Sequence, residues 1–267
     1  MSRIAGVFAE LRKAERAALI TFVEAYDPDR ASSLALLSGM AENGADIIEI
    51  GMPFTDPMAD GPTIQAAGRR GLLAGASLHG VLGLVEEFRR TNRHTPVVLM
   101  GYLNPILSYG VEKFCEDAAK VGVDGLIVVD LPTEEADLLL PDAGKNGLDV
   151  IRLVAPTTSD ERLPLVLEGS SGFVYYVSIT GITGTRTASA ADLARDIPRL
   201  RAATDLPIAV GFGIRTPEQA ALVAQHADAA IIASALIETM CRENLAAVLR
   251  DVRALADGIQ GARKVAA

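Results

Sequence analysis

The stretch Asp46-Ile-Ile-Glu-Ile-Gly-Met-Pro-Phe-Thr-Asp-Pro-Met-Ala-Asp-Gly-Pro-Thr-Ile-Gln65 carries the decisive reading. It opens as an apolar strand, turns through a loop of proline, aspartate and glycine, and restarts as a helix after Pro62. Glu49 is a charged residue among isoleucines, and it shares a strand face with Ile47, two residues earlier. A lone carboxylate is costly to bury unless something uses it. Burial raises the pKa of such a group towards neutrality, where it can both give and take a proton. Asp60 places a second carboxylate on the same strand–loop–helix passage, which makes an acid–base pair. Each has a plainer explanation. Glu49 could be a structural partner of an arginine, and both Asp56 and Asp60 occur in ordinary turn chemistry. From the residues alone, Asp56 and Asp60 rank equally.

Outward from this stretch, short apolar runs alternate with helical patterns along the whole chain. Eight strands are expected, at 19–24, 46–50, 97–101, 125–130, 150–154, 173–177, 207–211 and 229–233. Ala- and Leu-rich stretches at 31–43, 78–90, 111–121, 134–145 and 217–225 read as helices between them. Alternating β and α segments imply parallel strands with crossover helices, and eight units favour a closed (β/α)₈ TIM barrel. Extra helices are expected at the N-terminus, where Ile4, Val7, Phe8 and Leu11 recur at helical spacing, and after strands 2 and 8. Thr158-Ser-Asp-Glu161 and Thr216-Pro-Glu-Gln219 both read as capping boxes that start helices. No linker or shift in composition divides residues 1–267, so a single domain is expected.

The 267 residues are 49% hydrophobic and 22% charged, with a formal net charge of -9. That is a chain with a sizeable core, and its acidic balance argues against a nucleic-acid surface. No apolar run approaches a membrane span and no signal-peptide core opens the chain, so a cytoplasmic protein is expected. Cys115 and Cys241 are far apart and match no metal spacing; no metal and no cofactor are expected.

Barrel chemistry gathers at the carboxyl ends of the strands, and polar and glycine residues concentrate there. The ends include Glu24, Glu49, Gly101-Tyr-Leu-Asn104, Asp130 and Tyr175. Gly211-Phe-Gly213 after strand seven and Ala233-Ser234 after strand eight are small-residue loops. Together with Gly181-Ile-Thr-Gly184 they suit a phosphate held by backbone N–H groups. The segment 178–190, rich in Thr, Gly, Ser and Ala, reads as a lid.

The block 51–65 resembles the signature of tryptophan synthase alpha subunits. So do Phe22, Glu49, Gly101-Tyr-Leu-Asn-Pro105, residues 125–132, Tyr175-Tyr-Val-Ser178, Gly181-Ile-Thr-Gly184 and Gly211-Phe-Gly-Ile214. The likeness follows nearly the whole chain in order. It implies a lyase that cleaves indole-3-glycerol phosphate to indole and glyceraldehyde 3-phosphate in tryptophan biosynthesis. Glu49 would be the general acid–base, and Asp60 would hold the indole N–H. Phe22, Met100, Ile127, Tyr175, Thr183 and Phe212 would surround the indole ring. Gly184, Gly213, Ala233 and Ser234 would bind phosphate. The resemblance also implies a beta-subunit partner in an alpha2beta2 complex, with Pro53, Asp56, Pro57, Asn104 and Pro132 in the contact loops. Ala233 departs from the family, which usually has glycine there, and Ile179 replaces an arginine of some relatives. The alternatives are a stand-alone indole-releasing lyase, another phosphate-binding barrel enzyme, or a barrel kept only to bind a partner. A Schiff-base aldolase would want a lysine at a strand end, and Lys113, Lys120 and Lys145 all fall on helical stretches.

Overall fold

The computed structural model describes residues 2–178, 189–211 and 213–262. Among them, nine strand segments form one parallel sheet: β1 Ala18–Glu24, β2 Ile47–Gly51, β3 Val97–Gly101, β4 Gly125–Val128, β5 Asp149–Val150, β6 Arg152–Val154, β7 Val174–Val177, β8 Ile208–Gly211 and β9 Ala229–Ile232. The order is β5-β4-β3-β2-β1-β9-β8-β7-β6. Only Ile151 separates β5 from β6, so the two ends of that order are contiguous in the chain and the sheet curls into a nearly closed barrel. The sequence pattern predicts eight strands. The difference is a fifth strand that serves two neighbours in turn: Asp149 and Val150 pair with β4, then Arg152 to Val154 pair with β7.

The helices fall where the periodicity places them, with local corrections. The passage after β2 holds two helices, Pro62–Leu73 and Leu78–Thr91, and the passage after β9 holds Ser234–Arg242 and Leu245–Ala262. The stretch 134–145 is not one helix. It is a 3-10 turn, Thr133–Leu138, followed by Leu140–Lys145, because Pro141 at the start of the second piece cannot continue the first. The Thr216 capping box is present, with Gln219 closing it. The Thr158 box is not: its hydroxyl accepts from the Ala155 N–H, and the next helix starts only at Leu163.

Inward-facing residues stack along the barrel axis. Ile20, Ile47, Val98, Ile127, Ile151 and Ile231 share one cluster with Ile4, Phe8 and Leu11 of the helix Arg3–Lys13, which plugs the amino-terminal end. The Phe8 and Phe173 rings meet there at 6.0 Å. The strands are pinned at this end by a repeated device. Asp46, Asp124 and Asp228 each precede a strand, and each accepts an N–H from the neighbouring strand: Leu19 at 2.8 Å, Val97 at 2.8 Å and Ile208 at 3.0 Å. Asp124 also takes Arg89 and Arg3, both at 2.7 Å. Removing one member of a buried ion pair strands the other charge, at a cost of about 3–5 kcal/mol. Asp124→Ala should therefore lower the unfolding free energy in urea by that amount while leaving the catalytic parameters of the folded fraction unchanged. A loss below about 1 kcal/mol would remove Asp124 from the framework.

Candidate functional site

The opposite, carboxyl end of the barrel holds a cavity of about 310 Å³, lined from β1, β2, β3, β6, β7 and β9 and from loops at that end. Its wall is mostly apolar, with Phe22, Ile64, Met100, Leu153, Tyr175 and Ile231 around a few polar groups.

Glu49 is paired in register with Phe22 on β1 and Val98 on β3, on the inward face of β2. It is fully buried, and among the described residues neither carboxylate oxygen has a hydrogen-bond partner. No arginine among them meets it, which disposes of the ion-pair explanation. Desolvation pushes its pKa up to about 8. Gly51, two residues further on the same face, lines the cavity, whereas Glu49 does not. Its carboxyl therefore lies one layer below the cavity floor. Tyr175 lines that floor and is close enough to Glu49 for the carboxylate's charge to add to the burial that raises its own pKa.

Asp60 and Asp56, indistinguishable in the sequence, separate here. Asp56 is exposed, with Thr55 Oγ1 donating to it at 2.5 Å. Asp60 is half-buried and lines the cavity. Burial raises its pKa to about 6, opposed by a hydrogen bond from the Tyr102 hydroxyl. The same hydroxyl accepts the Ala59 N–H at 3.0 Å, and Gln65 Nε2 donates to the Asp60 carbonyl at 2.8 Å, so the loop is held on both sides. Tyr102 is held through its neighbour: the Leu103 N–H donates to Asp130 at 2.8 Å, which ties the loops after β3 and β4.

The third group of residues suits an anion. Gly213, Ala233 and Ser234 all line the cavity, with Gly213 at φ +76°, a backbone favoured by glycine. The helix Ser234–Arg242 has no capping side chain, so its first N–H groups and positive dipole end are open to a bound anion. Ala233 has φ -123°, which any residue adopts, and its methyl packs against Phe22, Ala67 and Ile237. The Ala233 side chain thus adds to the apolar wall. Arg215, not foreseen from the sequence, also lines the cavity and ion-pairs with Glu238, which Thr63 bonds at 3.3 Å.

Phe22, Met100 and Tyr175 are cavity-lining residues. Ile127 is not: it belongs to the core below, and Val129, two residues on along the same face, reaches the cavity. Thr183, Gly184, Phe212, Gly181, Ile179 and nearly all of the expected lid lie outside the described residues. Of the expected contact residues, Pro53, Asp56 and Pro57 follow β2, Asn104 follows β3 and Pro132 follows β4; Asp56, Asn104 and Pro132 are exposed. Tyr102 and Glu24 are wall residues that carried no assignable signal beyond their place at strand ends. Among the described residues no cluster of His, Cys, Asp or Glu could hold a metal, and no helix is long and apolar enough to cross a membrane.

Fold and site together define an α/β-barrel enzyme with carboxyl groups of raised pKa in and under a largely apolar cavity rimmed by small residues and an uncapped helix start. Residues 8–264 match the family model described as tryptophan synthase alpha chain. The tryptophan synthase alpha chain of Acidiphilium cryptum is 68% identical to this chain, over 100% of each. A tryptophan synthase alpha subunit structure from Legionella pneumophila superposes with a TM-score of 0.90 at 38% identity, covering 97% of this chain and 98% of the other. A tryptophan synthase structure from Mycobacterium tuberculosis does so with a TM-score of 0.90 at 39% identity, covering 97% and 98%. The chain belongs to the tryptophan synthase alpha chain family.

A raised folded-state pKa has a thermodynamic consequence. Between its ordinary value of 4.5 and about 8, Glu49 must take up a proton on folding. Stability is then full below pH 4.5 and falls as pH rises through that window. At pH 7 the cost is on the order of 3 kcal/mol. Glu49→Gln, which cannot ionise, should be more stable than the wild type at pH 7 by up to about that amount, and no more stable at pH 4. Denaturant titrations at the two pH values test this; a destabilised variant at pH 7 would contradict it.

Proposed function

We infer that the two carboxyl groups divide the cleavage of indole-3-glycerol phosphate between them. The chain is a lyase of tryptophan biosynthesis that releases indole and glyceraldehyde 3-phosphate. The observation that carries the division of labour is Glu49, a buried carboxyl with no hydrogen-bond partner among the described residues, lying below a cavity that is lined by Asp60, whose pKa is lower. With pKa values of about 8 and about 6, Glu49 is protonated and Asp60 ionised at neutral pH.

The indole ring occupies the apolar wall formed by Phe22, Met100 and Tyr175, with its N–H on Asp60. The phosphate lies on the N–H groups at Gly213 and Ser234. Glu49 turns up past Tyr175 and gives its proton to C3 of the ring. The resulting cation is stabilised by the Asp60 carboxylate in a site largely shielded from water. Glu49, now a carboxylate, takes the proton of the glycerol hydroxyl next to C3. The C–O bond becomes C=O, the C–C bond breaks, and its electron pair returns to the ring nitrogen. Indole and the aldehyde form, and Glu49 ends protonated as it began.

The rate constant kcat/KM should be bell-shaped in pH, rising as Asp60 ionises near 6 and falling as Glu49 ionises near 8. Glu49→Gln should cost roughly 10²–10⁴-fold. Asp60→Asn should cost about 10²–10³-fold, while Asp56→Asn leaves the isolated rate intact. Equal losses at 56 and 60, or a pH-independent rate, would refute the assignment.

A beta subunit is the partner that the family implies. A face for it is supported by three of the large exposed apolar side chains: Met58 after β2, Leu107 after β3 and Leu138 after β4, exposed by 75%, 50% and 44%. They follow Asp56, Asn104 and Pro132 along the same three strand-end passages. An alpha2beta2 assembly is the form proposed. Docking on the 53–60 loop would also order Asp60 and raise the rate, and a substrate analogue would in return tighten the complex. Leu107→Glu with Leu138→Glu should abolish sedimentation with a beta subunit and spare the isolated rate. An unchanged complex would place the partner elsewhere.

A further inference from the structure

Glu24, the last residue of β1, lines the cavity as Asp60 does and has no part in the chemistry above. It pairs in register with Gly51 and faces the same way as Phe22. Only 5% of it is exposed. Its carboxyl fills a notch that Gly51 leaves open. A Cβ at position 51 would fall on Glu24 Oε2 and crowd the Phe22 ring at 2.6 Å, so Gly51 on β2 makes room for this group. Gly68 on the helix Pro62–Leu73 closes the notch from the other side; a Cβ there would meet Oε1 at 3.6 Å, an ordinary contact. No hydrogen bond to the Glu24 carboxyl is present among the described residues.

The described residues around Glu24 offer it no cation. Asp60, from the loop after β2, shares the cavity wall with it, and Asp27, from the turn after β1, lines a recess with it; both are close enough for their charge to act on it. Arg70 on the helix Pro62–Leu73 is spent on Asp27, at 2.6 and 2.8 Å. The helix Ser234–Arg242 presents Leu236, Ile237 and Met240. Burial and the two neighbouring aspartates hold the Glu24 carboxyl well above its usual range, so at neutral pH it carries its proton. A protonated carboxyl is a donor as well as an acceptor. Among the described residues that line the cavity, the anionic acceptor beside it is Asp60.

We propose that Glu24 is a positioning residue of this reaction: once substrate fills the cavity whose wall the two groups share, its carboxyl O–H, seated against Gly51, donates to the Asp60 carboxylate and holds it towards the ring nitrogen. The inference rests on the role given to Asp60 above. Tyr102 then holds Asp60 from the β3 side and Glu24 from the β1 side, and the two carboxyls keep one proton between them. A donor to the ionised form lowers a carboxyl's pKa, so losing that donor raises it.

The experiment is the pH profile of indole release from indole-3-glycerol phosphate by the full chain and by Glu24→Gln and Glu24→Leu, with circular dichroism and thermal unfolding to select folded protein. Glutamine keeps a neutral donor and should retain the wild-type rate within about threefold, with the acid limb where it was. Leucine should lose about tenfold or more in kcat/KM, with the acid limb moved to higher pH as Asp60 loses its donor. Should the Glu24→Leu protein prove unfolded, Glu24→Met serves in its place. A leucine or methionine variant with wild-type rate and limb would make Glu24 a packing residue. A glutamine variant as impaired as Glu49→Gln would make it a proton-transfer group. Either overturns the proposal. Absence of indole release by the wild type would instead fail the reading of the reaction itself.

Discussion

A carboxyl group buried at the axis of an apolar barrel, with no hydrogen bond to either oxygen among the described residues, is the constraint around which this structure is arranged. Glu49 occupies a layer where the neighbouring strands supply Phe22 and Val98. A group so placed is held neutral near pH 7 and becomes an acid with a proton to give. The same burial makes it a liability for folding, and the rest of the barrel offsets it. The amino-terminal end does so with the plug of Ile4, Phe8 and Leu11 and with strand-to-strand bonds through Asp46, Asp124 and Asp228. Stability is concentrated at one end of the barrel and the cost of function at the other.

The cavity's electrostatics follow from degrees of exposure. Glu49 is sealed and unbonded among the described residues; Asp60 is half-exposed and bonded by Tyr102. Two carboxyls of similar ordinary pKa are thereby separated, so that one is acid and the other anion at the same pH. Tyr102 matters through this bond, and Asp130 matters because it fixes the residue after Tyr102. The polar rim beyond the cavity works differently. There the helix Ser234–Arg242 starts without a capping side chain, so its first backbone N–H groups and its dipole lie beside Gly213 and the Arg215–Glu238 ion pair.

The strand-and-helix alternation was legible because strands covered on both faces read as unbroken Val and Ile runs, and Glu49 stood out because it interrupts one. What was not legible depends on heights and contacts between strands. Ile127 and Val129 lie on one face, and only the stagger of β4 against β3 decides that Val129 reaches the cavity. The break at Ile151 arises because the fifth strand changes partner, which no local pattern records. Asp60 and Asp56 are the same residue type in the same loop; burial against Tyr102, a long-range contact, tells them apart. The family resemblance did rank them, because it carries the outcome of such contacts. Glu24 was visible as a strand-end carboxyl, but the glycine notch that receives it comes from β2 and the helix after it.

If burial alone makes Glu49 the acid, its carboxyl must titrate far above an ordinary glutamate, which a carboxyl NMR titration of protein carrying ¹³C-labelled glutamate measures. Glu49→Gln identifies the resonance by its loss. The account predicts a titration midpoint near 8 for that signal in the ligand-free protein. A midpoint at the ordinary glutamate value near 4.5 would contradict it.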